Sequence, residues 1–225
     1  MSILLVAATD AELGALKWPG KEGCGSENEA GLFSLQQLIC GVGPVASIFS
    51  LMKYLASSDH PDLIINAGIA GSFNKKIPIG SVVIPITDTF AGPSIEMQDG
   101  SFRLFRKSSK SEQDVISGFD GTFTADKGCL KNIPASITRV RGLTVERASG
   151  SERTIKELVM KFSPDIETME GASVYMAGNY YGIPVIGIRS ISNMVAPGNR
   201  DEWDIPAALN SLNNTLMNLL NSFIK

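Results

Sequence analysis

A chain of 225 residues, 44% hydrophobic and 19% charged, has enough apolar material for one sizeable core, which excludes a disordered chain and favours one α/β domain over two. Its formal net charge of −3 offers no electrostatic attraction to nucleic acid phosphates, so no nucleic acid partner is expected. The nearest basic cluster, Arg103, Arg106, Lys107 and Lys110, is short and reads as a solvated loop.

In chain order, Ile3–Ala8 is a continuous apolar run typical of a buried parallel strand. Thr9 or Asp10 can cap a following helix, with Glu12 in its first turn. Leu32–Ile39 predicts a second strand, ending at Gly41-Val42-Gly43, and Val45, Ile48, Phe49, Met52 and Leu55 have the spacing of an amphipathic helix. Leu63–Asn66 predicts a third strand, closed by a small-residue turn over Ala67–Ser72, and Gly80–Pro85 a fourth. From Asp88 to about Asn132 the pattern weakens, which predicts excursion loops with short strands. Ile137–Val145 reads as strand, Glu152–Phe162 as helix and Ile183–Ile188 as strand. Leu209, Leu212, Leu216, Leu219, Leu220 and Phe223 mark a C-terminal helix. The alternation predicts a single-domain, three-layer α/β/α fold over residues 1–225 with a central mixed sheet.

Cys24, Cys40 and Cys129 are widely spaced, and with His60 as the one histidine they offer too few ligands for a structural zinc site. No metal is expected. Cys40, within an apolar run, reads as a core thiol, and this cysteine usage fits a reducing cytoplasm. The N-terminus has no basic n-region, and no apolar stretch approaches the ~20 residues needed to span a bilayer. A cytoplasmic protein with no membrane partner is the expectation.

Thr168-Met169-Glu170-Gly171-Ala172 sets a carboxylate at the opening of an Ala-rich helical run, and the apolar run before Arg189 leads on to Asn193. In an open α/β sheet, strand ends and the turns after them converge on one crevice. Glu170, Arg189 and Asn193 are therefore expected to meet one small ligand. A carboxylate suits a sugar diol and an amide suits the edge of a base. Gly41-Val42-Gly43 and Gly68-Ile69-Ala70-Gly71 would let the backbone approach that ligand closely. No G-x-G-x-x-G opens a helix, so no dinucleotide cofactor is expected. Each residue also has a plainer reading: Glu170 as a solvated first-turn acid, Asn193 as a turn former, Arg189 in a structural ion pair, Glu12 exposed on its helix. Their joint placement is more specific than any one of them.

These blocks, in this order, resemble the nucleoside phosphorylase and nucleosidase superfamily: Val6–Glu12, Gly41–Gly43, Asn66–Gly71, Gly80–Val83, Met169–Ala172 and Arg189–Asn193. Ile191–Val195 with Pro197, Arg200, Trp203 and Ile205, and Ser149–Glu152, are most similar to the futalosine hydrolases of menaquinone biosynthesis. The resemblance implies a purine nucleoside as small-molecule partner, no cofactor, and a homo-oligomer. It implies that Glu170 accepts hydrogen bonds from the ribose hydroxyls while Met169 packs below the sugar. Glu12 would be the general base for water, with Arg189 helping to place that water. Ile69, Ala70 and Gly71 would line ribose and base, Asn193 with Ser192 beside it would hold the leaving purine, and backbone at Ser149 and Gly150 would touch its edge.

N-glycoside cleavage builds positive charge on the sugar and negative charge on the base, so a carboxylate at the hydroxyls and a second one to deprotonate water suit its transition state. Asn193 departs from the adenosine-type nucleosidases, which have an aspartic acid there to protonate the purine. An amide delivers no proton, but it can donate to one acceptor and accept from one N–H of a 6-oxopurine. Hypoxanthine follows as the leaving group. The turn Ala7–Glu12 carries two carboxylates and no Arg or Lys, which disfavours a phosphate dianion and favours hydrolysis. A methylthioadenosine-type nucleosidase, a non-catalytic nucleoside-binding protein and a phosphate-dependent phosphorylase remain as alternatives. Arg200 is a candidate for a substrate carboxylate or for a surface salt bridge.

Overall fold

The computed structural model describes residues 1–14, 34–92, 94–99, 102–104, 121–198 and 200–224. Leu32, Phe33, Cys24, Arg106, Lys107 and Lys110 lie outside the described residues. The elements are β1 (Ser2–Ala7), α1 (Asp10–Leu13), β2 (Ser34–Ile39), α2 (Pro44–Ser57), β3 (Leu63–Ser72), β4 (Val82–Phe90), β5 (Ser94–Glu96), β6 (Phe102–Leu104) and β7 (Thr122–Thr124). They continue with α3 (Lys127–Leu130), β8 (Thr138–Thr144), α4 (Glu152–Phe162), β9 (Ile166–Thr168), α5 (Gly171–Tyr181), β10 (Val185–Met194), a 3₁₀ turn over Arg200–Glu202 and α6 (Ile205–Ile224).

The main sheet is mixed. β1 pairs in parallel with β2 and β3, β3 with β10, β4 with β8, and β8 with β9. β10 and β4, β3 and β9, and β4 and β7 are antiparallel. Because β10 pairs with both β3 and β4, and β9 with both β3 and β8, the larger half of the sheet closes into a ring of five strands. Each ring strand contributes to one apolar cluster, Ala70, Val83, Val140, Ile166 and Ile191, joined by Ile77. The mixed sheet between helical layers is thus as expected, with its larger half closed on itself.

One core gathers α6, Leu13 of α1 and alternate residues of β1, β3 and β10, including Ile65, Ile188, Leu212 and Leu216. A second gathers α2, α5 and the opposite face of the same strands, including Leu4, Leu51, Ile64 and Val174. β1 is buried from Ile3 onward, as its continuous apolar run requires. Among the described residues no helix is long and apolar enough to cross a membrane.

Two strands run further than their composition indicates. The small-residue stretch Ala67–Ser72 is not a turn but the second half of β3, and Arg189–Asn193 is not past the end of β10 but within it. The two segments pair with each other from Val185–Ile64 to Met194–Ser72. That pairing satisfies backbone groups that would otherwise be buried without partners. The stretch from Asp88 contains the end of β4, the β5–β6 hairpin, β7 and the short α3. Asp88 itself belongs to β4, paired with Gly142 and Phe123. β9 had no separate sequence signal.

Candidate active site

The first wall is built where β1 turns into α1. Thr9 is extended, and Glu12, three residues on, folds back over it. Glu12 Oε2 accepts from the Thr9 N–H at 3.0 Å and from its hydroxyl at 3.1 Å. Oε1 accepts from the Ile69 N–H of β3 at 3.1 Å. Glu12 is therefore buried, not exposed as its helical position indicates. Of the two acids in this turn only Glu12 faces inward; Asp10 is exposed.

Gly68 makes room for it. A Cβ there would lie 2.8 Å from Glu12 Oε1 and 3.7 Å from Arg189 Cζ. Arg189 stands opposite Gly68 in the β3–β10 ladder and is 2% exposed. Its Nη1 donates to the Asn66 carbonyl at 2.5 Å and to the Ile188 carbonyl at 3.0 Å. Its Nε has no hydrogen-bond partner, and among the described residues Arg189 has no ion-pair partner. The plain reading of Arg189 as a structural ion pair thus gives way to a buried cation aimed at the space beside Glu12.

Glu170 closes the other side. It occupies the N-cap position of α5, and its Oε1 accepts from the Gly43 N–H at 2.9 Å. Gly43, with φ 90°, ends the glycine turn Gly41-Val42-Gly43, and its left-handed backbone aims that N–H inward. Burial pushes the Glu170 carboxyl above the ordinary glutamate range; the Gly43 N–H and the Arg189 charge oppose this, and Glu12 adds to it. Burial and the Glu170 charge push the Cys40 thiol up to about 12, which keeps it an inert core thiol. Met169 is half-buried against the Leu143, Val145 and Leu158 cluster.

Further along β3, roughly 10 Å from Gly68 at strand rise, a second set assembles. β10 carries one extra residue between Ile191, opposite Ala70, and Asn193, opposite Gly71. This bulge sets Asn193 over Gly71, where a Cβ would lie 3.1 Å from its Nδ2 and 2.8 Å from Val195 Cγ2. Asn193 Oδ1 accepts from the Ser192 hydroxyl at 2.9 Å, and Nδ2 donates to the Met194 carbonyl at 3.1 Å. Ser192, 1% exposed, also reaches the Ala70 carbonyl at 3.3 Å, so its hydroxyl supports Asn193. Ile69 and Gly71 are half-buried and Ala70 is buried along this stretch.

Gly71 is paired on its other side with Glu167 of β9. Glu167 Oε1 accepts from the Ser149 N–H at 2.9 Å, and Oε2 accepts from the Ser149 hydroxyl. Burial raises the Glu167 carboxyl, and the two Ser149 bonds oppose the rise. Ser149 is thereby tied to Glu167, the sheet neighbour of Gly71, while Gly150 beside it faces open space. Glu167 and the fully buried Asp88 were missed from sequence. The one signal was an acid inside an otherwise apolar strand pattern. Arg200 is exposed, with Cζ 5.8 Å from the Trp203 ring, and the segment is tied to the site by the Asp204 N–H donating to the Ser192 carbonyl at 2.9 Å.

Two inward carboxylates and a buried cation thus gather at one end of the β3–β10 pair, and a buried amide lies further along it. Residues 35–225 match the phosphorylase superfamily, and the chain belongs to that superfamily. It is 31% identical to the futalosine hydrolase of Streptomyces coelicolor over 183 residues, 78% of this chain and 74% of that one. It is 28% identical to the 5′-methylthioadenosine/S-adenosylhomocysteine nucleosidase of Maridesulfovibrio salexigens over 167 residues, 70% of this chain and 67% of that one. Its fold matches the native futalosine hydrolase of Helicobacter pylori strain 26695 with a TM-score of 0.76 at 15% identity, covering 98% of this chain and 97% of that one. The methylthioadenosine/S-adenosylhomocysteine nucleosidase of S. pneumoniae with a transition-state inhibitor matches with a TM-score of 0.77 at 20% identity, covering 99% and 100%.

Proposed function

We propose that this protein is a hydrolase acting on N-glycosyl bonds, and that its substrate is futalosine, cleaved to hypoxanthine and dehypoxanthine futalosine in menaquinone biosynthesis. The observation that carries the choice of base is Asn193, buried opposite Gly71 with an amide where proton donation to an adenine would need an acid. Its hydroxyl and carbonyl partners use one lone pair of Oδ1 and one proton of Nδ2, leaving one acceptor and one donor for the edge of a 6-oxopurine.

In this reading the ribose lies between Glu170 and Glu12. The Glu170 carboxylate, its Oε1 held by Gly43, accepts from the sugar hydroxyls through Oε2. Its negative charge favours the cationic sugar of the transition state. Glu12, oriented by Thr9 and Ile69, takes a proton from the attacking water, an effect worth roughly 10²–10⁴-fold for a positioned base. Arg189 offers its free N–H groups to that water. Met169 packs below the sugar, Ile69, Ala70 and Gly71 line sugar and base, and Ser149 and Gly150 meet the purine edge. The glycosidic electron pair leaves with the base, and the water oxygen bonds to the anomeric carbon. No cofactor is required.

A cytoplasmic homo-oligomer is part of the proposal. Val42, Val45 and Phe49 stand exposed beside Gly43, an apolar patch next to the Glu170 contact that a second copy would cover. The second reading, a methylthioadenosine/S-adenosylhomocysteine nucleosidase, is favoured by the relative of that name at 28% identity. Incubation with futalosine, inosine and methylthioadenosine, each with and without phosphate, separates the readings by the base released. Phosphate-independent release of hypoxanthine from futalosine is expected. Preferential release of adenine selects the second reading, and a strict phosphate requirement removes hydrolysis.

A further inference from the structure

A helix begins with backbone N–H groups that lack partners within it, and they need acceptors from a capping side chain or from elsewhere in the fold. Glu170 sits at the N-cap of α5 and does not supply one. Its carboxylate turns away, to the Gly43 N–H. The helix is capped from the sheet instead. The Ala172 N–H donates to Thr144 Oγ1 at 2.8 Å, and Thr144 Oγ1 donates to Asp88 Oδ1 at 2.7 Å. The Gly171 N–H reaches Thr168 Oγ1 at 3.4 Å, which lies 3.1 Å from Thr144 Oγ1.

The surrounding residues make space for Asp88. A Cβ on Gly142 would lie 2.6 Å from its Oδ2, and one on Gly171 would overlap it. Asp88 is 1% exposed, and Oδ2 has no hydrogen-bond partner. Burying a carboxylate in this way opposes folding, so stability alone does not account for it. The titratable groups facing it are Arg189 from β10, and Glu170 and Tyr175 from α5. β8 and β9 present the Thr144 and Thr168 hydroxyls, and β7 presents Phe123.

We propose that Asp88 is a positioning residue: by capping α5 through Thr144, it leaves the Glu170 carboxylate directed into the ligand site. The proposal rests on the reading of Glu170 as the sugar-binding carboxylate. The negative charge of Asp88 also meets the positive end of an 11-residue helix. Burial, opposed by the Thr144 hydroxyl and the Arg189 charge, pushes the Asp88 carboxyl up to about 6, so the capping charge is lost as pH falls through that value.

The test compares the whole chain with Asp88→Asn, Thr144→Val and Thr144→Ser. It reads futalosine hydrolysis and the ¹³C carboxyl resonance of Glu170. Asp88→Asn and Thr144→Val should lower kcat about tenfold with KM within about twofold, and Thr144→Ser, which keeps the hydroxyl, should match wild type. Wild-type kcat should fall below about pH 6, and this limb should shift in Asp88→Asn, where the Glu170 carboxyl is left to titrate. The Glu170 resonance should move in Asp88→Asn and Thr144→Val and not in Thr144→Ser. If Asp88→Asn does not fold, the two Thr144 variants decide. A Glu170 resonance unmoved in Thr144→Val overturns the proposal. A resonance that moves as expected in a protein hydrolysing none of the nucleosides offered removes the proposed function and leaves the capping relay standing.

Discussion

Gly68 and Arg189 stand opposite each other in the β3–β10 ladder, and the missing side chain of the glycine is what lets Glu12 Oε1 approach. The pair explains why a strand that is otherwise Leu, Ile and Asn turns to small residues halfway along. β3 is thinned where side chains from β10 and the β1–α1 turn must lie across it.

Gly68→Ala should therefore displace the Glu12 carboxylate, whose Oε1 would be 2.8 Å from the new methyl. A misplacement of about 1 Å in a catalytic group costs about 10²-fold, so kcat should drop by that order while the chain still folds. Steady-state kinetics with a thermal melt checks this. Wild-type kinetics in the variant would mean that Glu12 is not the base.

Glu170→Gln keeps the shape and the Gly43 contact but removes the charge. Its cost should fall on kcat, about 10²–10³-fold, with KM changed far less, because in the proposed reaction the carboxylate acts on charge that develops only in the transition state. Glu12→Gln should be comparably inactive while still binding a product analogue, as calorimetry would show. Near-wild-type rates in both variants would return the non-catalytic nucleoside-binding reading to first place.

Asn193→Asp should change which base leaves. A mispaired buried polar group costs about 1–3 kcal/mol, roughly 5- to 150-fold. The ratio of kcat/KM for hypoxanthine over adenine ribosides should fall by a factor in that range. An unchanged ratio would show that Asn193 does not read the base.

Asp88 supplies a prediction for stability against pH. Its carboxyl lies at about 6 in the folded chain against 3.8 as its ordinary value. A raised acid binds more protons folded than unfolded between those values, so its contribution to stability falls as pH rises from about 4 to about 6 and is level above. The shift corresponds to about 3 kcal/mol. Relative to wild type, Asp88→Asn should therefore gain stability by up to that amount between pH 4 and pH 7, even as its turnover falls. Urea unfolding at the two pH values measures it, and a difference independent of pH would mean that Asp88 is not buried as a titrating acid.

Much of the molecule was legible from local pattern. The apolar run Ile3–Ala8, the spacing of α2, α4 and α6, and the order of the glycine and acid blocks reflect the period of strand or helix and the chemistry of short motifs. Both are local properties. Asn193, where the resemblance to adenosine-type nucleosidases expects an acid, is equally read before any fold is known, and the proposed choice of base starts from it.

The tertiary structure decided where strands end and which polar groups are buried. Ala67–Ser72 reads as a turn because small residues favour turns, yet pairing with β10 extends it as strand. Glu12 reads as exposed from its helix, yet the Ile69 N–H and the gap at Gly68 draw it inward. Asp88 is hidden by Gly142 and Gly171, residues far away in sequence, and Glu167 meets Ser149 through the β8–β9 connection. Hydrophobic periodicity reports which face of an element is covered. A buried carboxylate is set by partners that only the closed sheet brings to it.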